Sequence, residues 1–242
     1  MRRMRRPRVT VLACALAACA TPATAAIAKN TQELGAPGGL AFPKADCPKN
    51  AAQPTDPQGC QAIAQVTGYN VRLNGVHNPM RLKRSGYIVA FTVELAKPTD
   101  EQITFFKAQY GANPTVRLSV IQSLHSKAQF RLINQTQAFN LEPYFGSTPT
   151  IALRKPFRVH KDDIIALTVP TWLPAFAHNL GDQEIWRSSH QGDECTAPDP
   201  SPDPHEQIDS IKVYDCVYRG ARLLYTATFI GDPKPTNIAS KR

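Results

Sequence analysis

The side chains best able to do chemistry gather in the second half of the chain, between Trp172 and His205. Indole rings at one end of a β fold can stack on sugar rings, while neighbouring polar side chains bond the hydroxyls. Trp172 and Trp186, with His178, Asp182 and Arg187 beside them, are therefore the candidate ligand-binding group. The competing reading packs both indoles into the core, against Phe176 or Tyr225, since tryptophan is among the most buried residues on average. A second set, His178, His190, Asp193, Glu194 and His205, has metal-ligating chemistry. Its spacing matches no ligand pattern, so no metal is assigned. Asp199 and Asp203 alternate with prolines, which hold carboxylates in an extended array, whereas calcium needs a curled loop of oxygens. Asp162 and Asp163 are adjacent in a polar turn and read as turn residues, not as a general acid–base pair. No Gly-x-Ser-x-Gly, His-Glu-x-x-His or P-loop stands in the chain. No catalytic residue and no cofactor are assigned, and the sequence leaves open whether the protein is an enzyme.

These residues must be positioned by strands. The stretch Phe157–Trp172 organises the chain: a polar hairpin at His160–Asp163 separates two extended runs, and the second, Ile164–Val169, is β-branched and apolar. Pro170 is expected to end it, because proline has no N–H for a ladder. Tyr69, Val71 and Leu73 alternate with Asn70 and Arg72, which predicts a strand with one wet face. Tyr87, Val89, Phe91, Val93 and Leu95 are expected to face the core, with Ile88, Ala90, Thr92 and Glu94 pointing away. One helix stands out. Thr99-Asp100-Glu101-Gln102 is a capping box, Ile103, Phe106 and Tyr110 share one helical face, and Gly111 stops it. Roughly ten strands at 8–12-residue spacing predict an all-β fold, an antiparallel jelly-roll-like β-sandwich with one short inserted helix.

The ends set the compartment. Arg2, Arg3, Arg5, Arg6 and Arg8 precede the short apolar run Val9–Ala18, an export signal too short to span a bilayer. Two processing sites compete. Ala23-Thr24-Ala25 would release a soluble protein, whereas Leu16-Ala17-Ala18-Cys19 matches a lipobox in which Cys19 receives a lipid. The paired arginines lack the continuation that twin-arginine export needs. The divisions are a signal peptide over 1–26, a linker and irregular lead-in over 27–60, the sandwich over 61–230 and a flexible basic tail over 231–242. The net charge of +9 shrinks once the signal is removed, to 23 basic against 19 acidic residues, or +4. That is an ordinary surface and no nucleic-acid footprint. Four cysteines remain, Cys47, Cys60, Cys195 and Cys216, an even number suited to an oxidising compartment. Of the three pairings, Cys47–Cys60 and Cys195–Cys216 are favoured, because each closes a proline-rich polar loop with no core residues of its own. Each would contribute about 3 kcal/mol in the chain-entropy model. No Cys-x-x-Cys spacing supports zinc.

Gly86–Leu95 (GYIVAFTVEL), Gln102–Gly111 (QITFFKAQYG), Arg158–Trp172, Trp186–Ser189 and Cys216–Phe229 (CVYRGARLLYTATF) together resemble a group of uncharacterised exported β-sandwich proteins of actinobacteria. The resemblance spans about residues 60 to 230, and it implies no activity and no catalytic residue. Lys161–Leu167 also resembles hairpins of jelly-roll and carbohydrate-binding-like sandwiches, which often have Gly where Asp162 stands. The expected protein is bacterial, either secreted or anchored to the outer face of the cytoplasmic membrane. The first functional expectation is a non-catalytic envelope or extracellular binding module, with a glycan as partner. The alternative is a structural or interaction protein whose partner is a cell-surface protein, and a secreted hydrolase comes third. No nucleic-acid partner is expected, and membrane contact only through an N-terminal lipid.

Overall fold

The computed structural model describes residues 30–45, 47, 59–124, 128–197 and 200–233. The expected signal segment with Cys19, residues 27–29, 46 and 48–58 of the expected lead-in and the basic tail beyond 233 lie outside them. Among the described residues the chain forms fifteen strands and one α-helix. In order these are β1 (Thr31–Leu34), β2 (Ile63–Leu73), β3 (Val76–His77), β4 (Gly86–Val93), helix α1 (Asp100–Tyr110), β5 (Thr115–Ser123), β6 (Gln129–Gln135) and β7 (Phe139–Asn140). There follow β8 (Thr150–Val159), β9 (Ile164–Leu173), β10 (Phe176–Ala177), β11 (Ile185–Ser188), β12 (Ile211–Val213), β13 (Cys216–Arg219), β14 (Arg222–Leu223) and β15 (Tyr225–Gly231).

The fold is the expected all-β one, with antiparallel strands in two layers and a single helix. One layer is the four-stranded sheet β1-β15-β4-β8. The other follows the path β12-β6-β5-β9-β2-β11-β13. Its two end strands, β12 and β13, are separated in sequence only by Tyr214 and Asp215, so this sheet curls until the path returns on itself. Leu118, Val120, Ile165 and Leu167 are fully buried in one cluster with Ile88, Phe91, Val93 and Phe229 of the four-stranded sheet. On the other face of the curl Tyr69, Phe130 and Tyr214 meet ring to ring at 4.9–6.3 Å.

Four local expectations need correction. Pro170 does not end the organising strand, since β9 runs on to Leu173. Gln65 alone sits opposite Pro170 and Thr171, between the pairs Ala64–Trp172 and Val66–Val169, so the missing N–H falls in a β-bulge. The alternation of β4 slips at Val89, which is an extra residue against β15, while on the other side β8 carries the extra residues, 153–156, opposite Val89. Ile88 therefore turns inward and Tyr87 outward, 0% and 43% exposed. Asn70 is not on a wet face. It is fully buried, donating to the Leu223 carbonyl and accepting from the Leu223 N–H. Finally, Thr31–Leu34 of the expected linker adds an edge strand to β15, and Gly231–Pro233 of the expected tail is ordered, with Asp232 accepting two hydrogen bonds from Arg158.

The helix forms as its capping box predicts. Thr99 accepts from the Gln102 N–H, Gln102 Oε1 accepts from the Thr99 N–H, and the Gly111 N–H closes the last turn on Lys107. The polar hairpin is a tight turn in which Asp162 is left-handed (φ 73°), the conformation that glycine supplies at no steric cost. Asp163 is buried and accepts from the His160 N–H, and burial holds its carboxyl above the usual range. Both favoured disulfides, Cys47–Cys60 and Cys195–Cys216, are formed. They mark an oxidising environment. Among the described residues no helix is long and apolar enough to cross a membrane.

Candidate functional site

The predicted ligand group does not assemble as one surface. Trp172 is fully buried beneath α1: its ring stacks on Phe106 at 5.0 Å, Phe145 lies against it at 5.6 Å, and its Nε1–H donates to the Gly111 carbonyl. Trp186 is 7% exposed. Tyr218, its cross-strand partner on β13, stacks on it at 4.6 Å, and Phe176 meets it edge-on at 5.7 Å. On the β2 side the ring lies so close to Gly68 that a Cβ there would stand 2.8 Å from Cζ3. Neither indole offers a free face. Asp182 is exposed, while His178 and Arg187 are half-buried. The three are not drawn together with the two indoles into a single pocket.

A cleft of about 550 Å³ opens where α1 faces the start of β2 and the ends of β11 and β13. Phe105, Phe106 and Tyr110 come from the helix, Phe176 from β10, Trp186 from β11 and Tyr218 from β13. Between them run Cys60–Val66, with Ala197, Pro200 and Ala221 closing the far side. Ring stacking fixes the walls: Phe106 touches Phe105 and Tyr110 as well as Trp172. Gln65, the single residue opposite the bulge at Pro170 and Thr171, lines the cleft in a left-handed conformation (φ 48°), so the break in the ladder re-aims backbone at the cleft. The polar members are few. Arg219 is exposed at the rim, and His190 is 5% exposed in the wall. Burial lowers the His190 pKa, with the carboxylates of Asp203 and Glu194 opposing the shift. His190 Nε2 and Trp186 Nε1 are both shut from solvent without a hydrogen-bond partner.

A second polar cluster fills the curl of the larger sheet. His205 is fully buried, with its backbone N–H donating to Thr67 Oγ1. Its Nε2 lies 3.1 Å from the Ser210 carbonyl and 2.9 Å from Ser210 Oγ, and its Nδ1 lies 3.1 Å from the Tyr214 hydroxyl. A carbonyl only accepts, so Nε2 carries the proton and Nδ1 accepts from Tyr214. Ser210 in turn donates to the Gln207 carbonyl. The histidine is thus a donor toward the serine, the wrong polarity for activating it as a nucleophile. Gln135 ties this loop to Ser119, Thr168 and the His205 carbonyl, while Lys212 pairs with Asp203. The cluster pins the loop across the sheet. Among the described residues no three metal-ligating side chains converge, so the second set of sequence candidates forms no metal site there.

Sequence reasoning reached Trp186 and the α1 face but missed Phe105, Tyr218, Gln65 and Arg219 as neighbours. One signal was present: Phe105 beside Phe106 widens the apolar face of α1 beyond what a single packed stripe needs. The stacking of Tyr218 on Trp186 depends on the pairing of β11 with β13, which periodicity does not encode. No protein-family profile, curated protein or solved structure matches the chain.

Proposed function

We propose that the protein is an exported, non-catalytic binding module of the bacterial envelope or extracellular space, and that the aromatic cleft is where it takes a small ring-bearing ligand. The observation that carries this reading is the meeting of six aromatic side chains from a helix and three strands around one open cavity. Concave, mostly apolar pockets with a few polar groups are the usual form of small-molecule sites. The two disulfides and the signal-like N-terminus support export. Between a glycan laid across an indole platform and a compact ligand held inside the cleft, the second is favoured, since both indole faces of Trp186 are covered and Trp172 is under the helix.

The test is a thermal-shift panel of ring-bearing small molecules and soluble cell-wall and plant glycans, run on the protein and on Phe105→Ser. Phe105 is half-buried at the cleft, so the variant opens a wall without emptying the core. A compact ring compound that raises the Tm of the protein and not of the variant supports the reading. No rise with any compound, or equal rises in both, refutes it.

A further inference from the structure

We infer that the ligand of this cleft is an anion: a compact ring-bearing carboxylate whose ring lies among Phe105, Tyr110 and Phe176 and whose carboxylate meets Arg219. The inference rests on the reading of the cleft as a ligand site and adds the chemical class. Among the described lining residues Arg219 is the one that carries a fixed charge, and no carboxylate stands with it. It is exposed on β13 and makes no ion pair with any described residue. Two buried groups of the wall lack a partner, His190 Nε2 and Trp186 Nε1, and the second is also a donor. The Trp186 indole N–H is buried, has no partner and can only donate. A carboxylate is the complementary group, acceptor-only, with two oxygens in the plane that suits a guanidinium. A neutral sugar brings as many hydroxyl donors as acceptors, and this wall offers them no carboxylate in return.

The distinguishing experiment compares hydrocinnamate with its neutral amide, which has the same ring and chain, by calorimetric titration of the disulfide-intact protein and of Arg219→Gln. The acid is expected to bind at least about tenfold more tightly than the amide, in line with a charge-assisted bond of roughly twice ordinary strength. Arg219→Gln is expected to erase that difference while leaving the Tm of the free protein unchanged. Equal binding of acid and amide, or a preference that survives Arg219→Gln, overturns the anion assignment and leaves the cleft as a ligand site. Binding of neither, together with an empty ring-compound panel, overturns both.

Discussion

Trp172 offers the sharpest test of how the site is held. Its ring is wholly buried between Phe106 and Phe145, and its Nε1–H satisfies the Gly111 carbonyl just past the end of α1. Truncating a buried Trp to Ala costs about 3–5 kcal/mol through lost burial and the cavity left behind. Trp172→Phe keeps a ring but strands the Gly111 carbonyl, and costs about 1–2 kcal/mol. Against the roughly 5–15 kcal/mol that holds a domain of this size folded, the first loss is large and the second moderate. Urea unfolding, followed by Trp186 emission and by far-ultraviolet circular dichroism, measures both, provided the m-values stay constant. A double-mutant cycle with Phe106→Ala isolates the stacking itself, expected at about 0.5–1.5 kcal/mol. Because α1 carries Phe105, Phe106 and Tyr110, amide exchange across residues 100–111 is expected to accelerate in Trp172→Ala. A loss below about 1 kcal/mol for Trp172→Ala, with unchanged exchange in the helix, refutes the reasoning, because it describes an indole outside the core.

Three further outcomes follow from the geometry. Gly68→Ala puts a Cβ 2.8–2.9 Å from two ring carbons of Trp186 and 3.0 Å from the Arg187 carbonyl. Overpacking of this kind costs about 1–3 kcal/mol, and the pushed indole is expected to weaken ligand binding in the cleft, both read by chemical unfolding and titration. Replacing Cys195 and Cys216 together by Ser opens a loop of sequence separation 21 and is expected to cost about 3 kcal/mol, measured as a drop in ΔG of unfolding. The pH dependence has a definite sign. Burial lowers the pKa of His190 and His205, with Asp203, Glu194 and Lys212 the charged groups acting on them. The unfolded chain then binds more protons than the folded one as pH drops through the ordinary imidazole value, so stability falls on acidification. Asp163, whose pKa burial raises, acts oppositely, but only between the ordinary carboxylate value and its own raised one. Thermal unfolding from about pH 7.5 to about pH 5.5 is expected to show a falling Tm, with a shallower slope in His205→Gln; a flat profile contradicts the buried, neutral histidines.

The parts of the fold legible in the sequence are those set by neighbours along the chain. The Thr99–Gln102 capping box and Gly111 fixed the helix, and the two disulfides followed from which loops lacked core residues of their own. Long-range pairing was not legible. Val89, Ile88 and Tyr87 are all good strand formers, so nothing local marks the extra residue that turns Ile88 inward. Thr31–Leu34 has no apolar alternation and is a strand only because β15 offers it an edge. Pro170 read as a stop because the bulge that accommodates it, Pro170 and Thr171 against the single residue Gln65, depends on pairing with the facing strand and cannot be seen from Pro170 itself. The candidate site divides in the same way. The indoles were found by residue type, but their burial, and the partnership of Trp186 with Tyr218, come from a sheet curled until β12 and β13 meet end to end.

The two tryptophans make one measurement decisive, since Trp172 and Trp186 are the only ones in the chain. With fluorotryptophan incorporated, the fluorine spectrum carries one resonance for each, assigned by Trp172→Phe and Trp186→Phe. On titration with hydrocinnamate the Trp186 resonance, at the cleft wall, is expected to move to saturation while the Trp172 resonance, beneath α1, stays in place. Two unmoved resonances, or a shift of Trp172 alone, would contradict an aromatic cleft that binds its ligand beside Trp186.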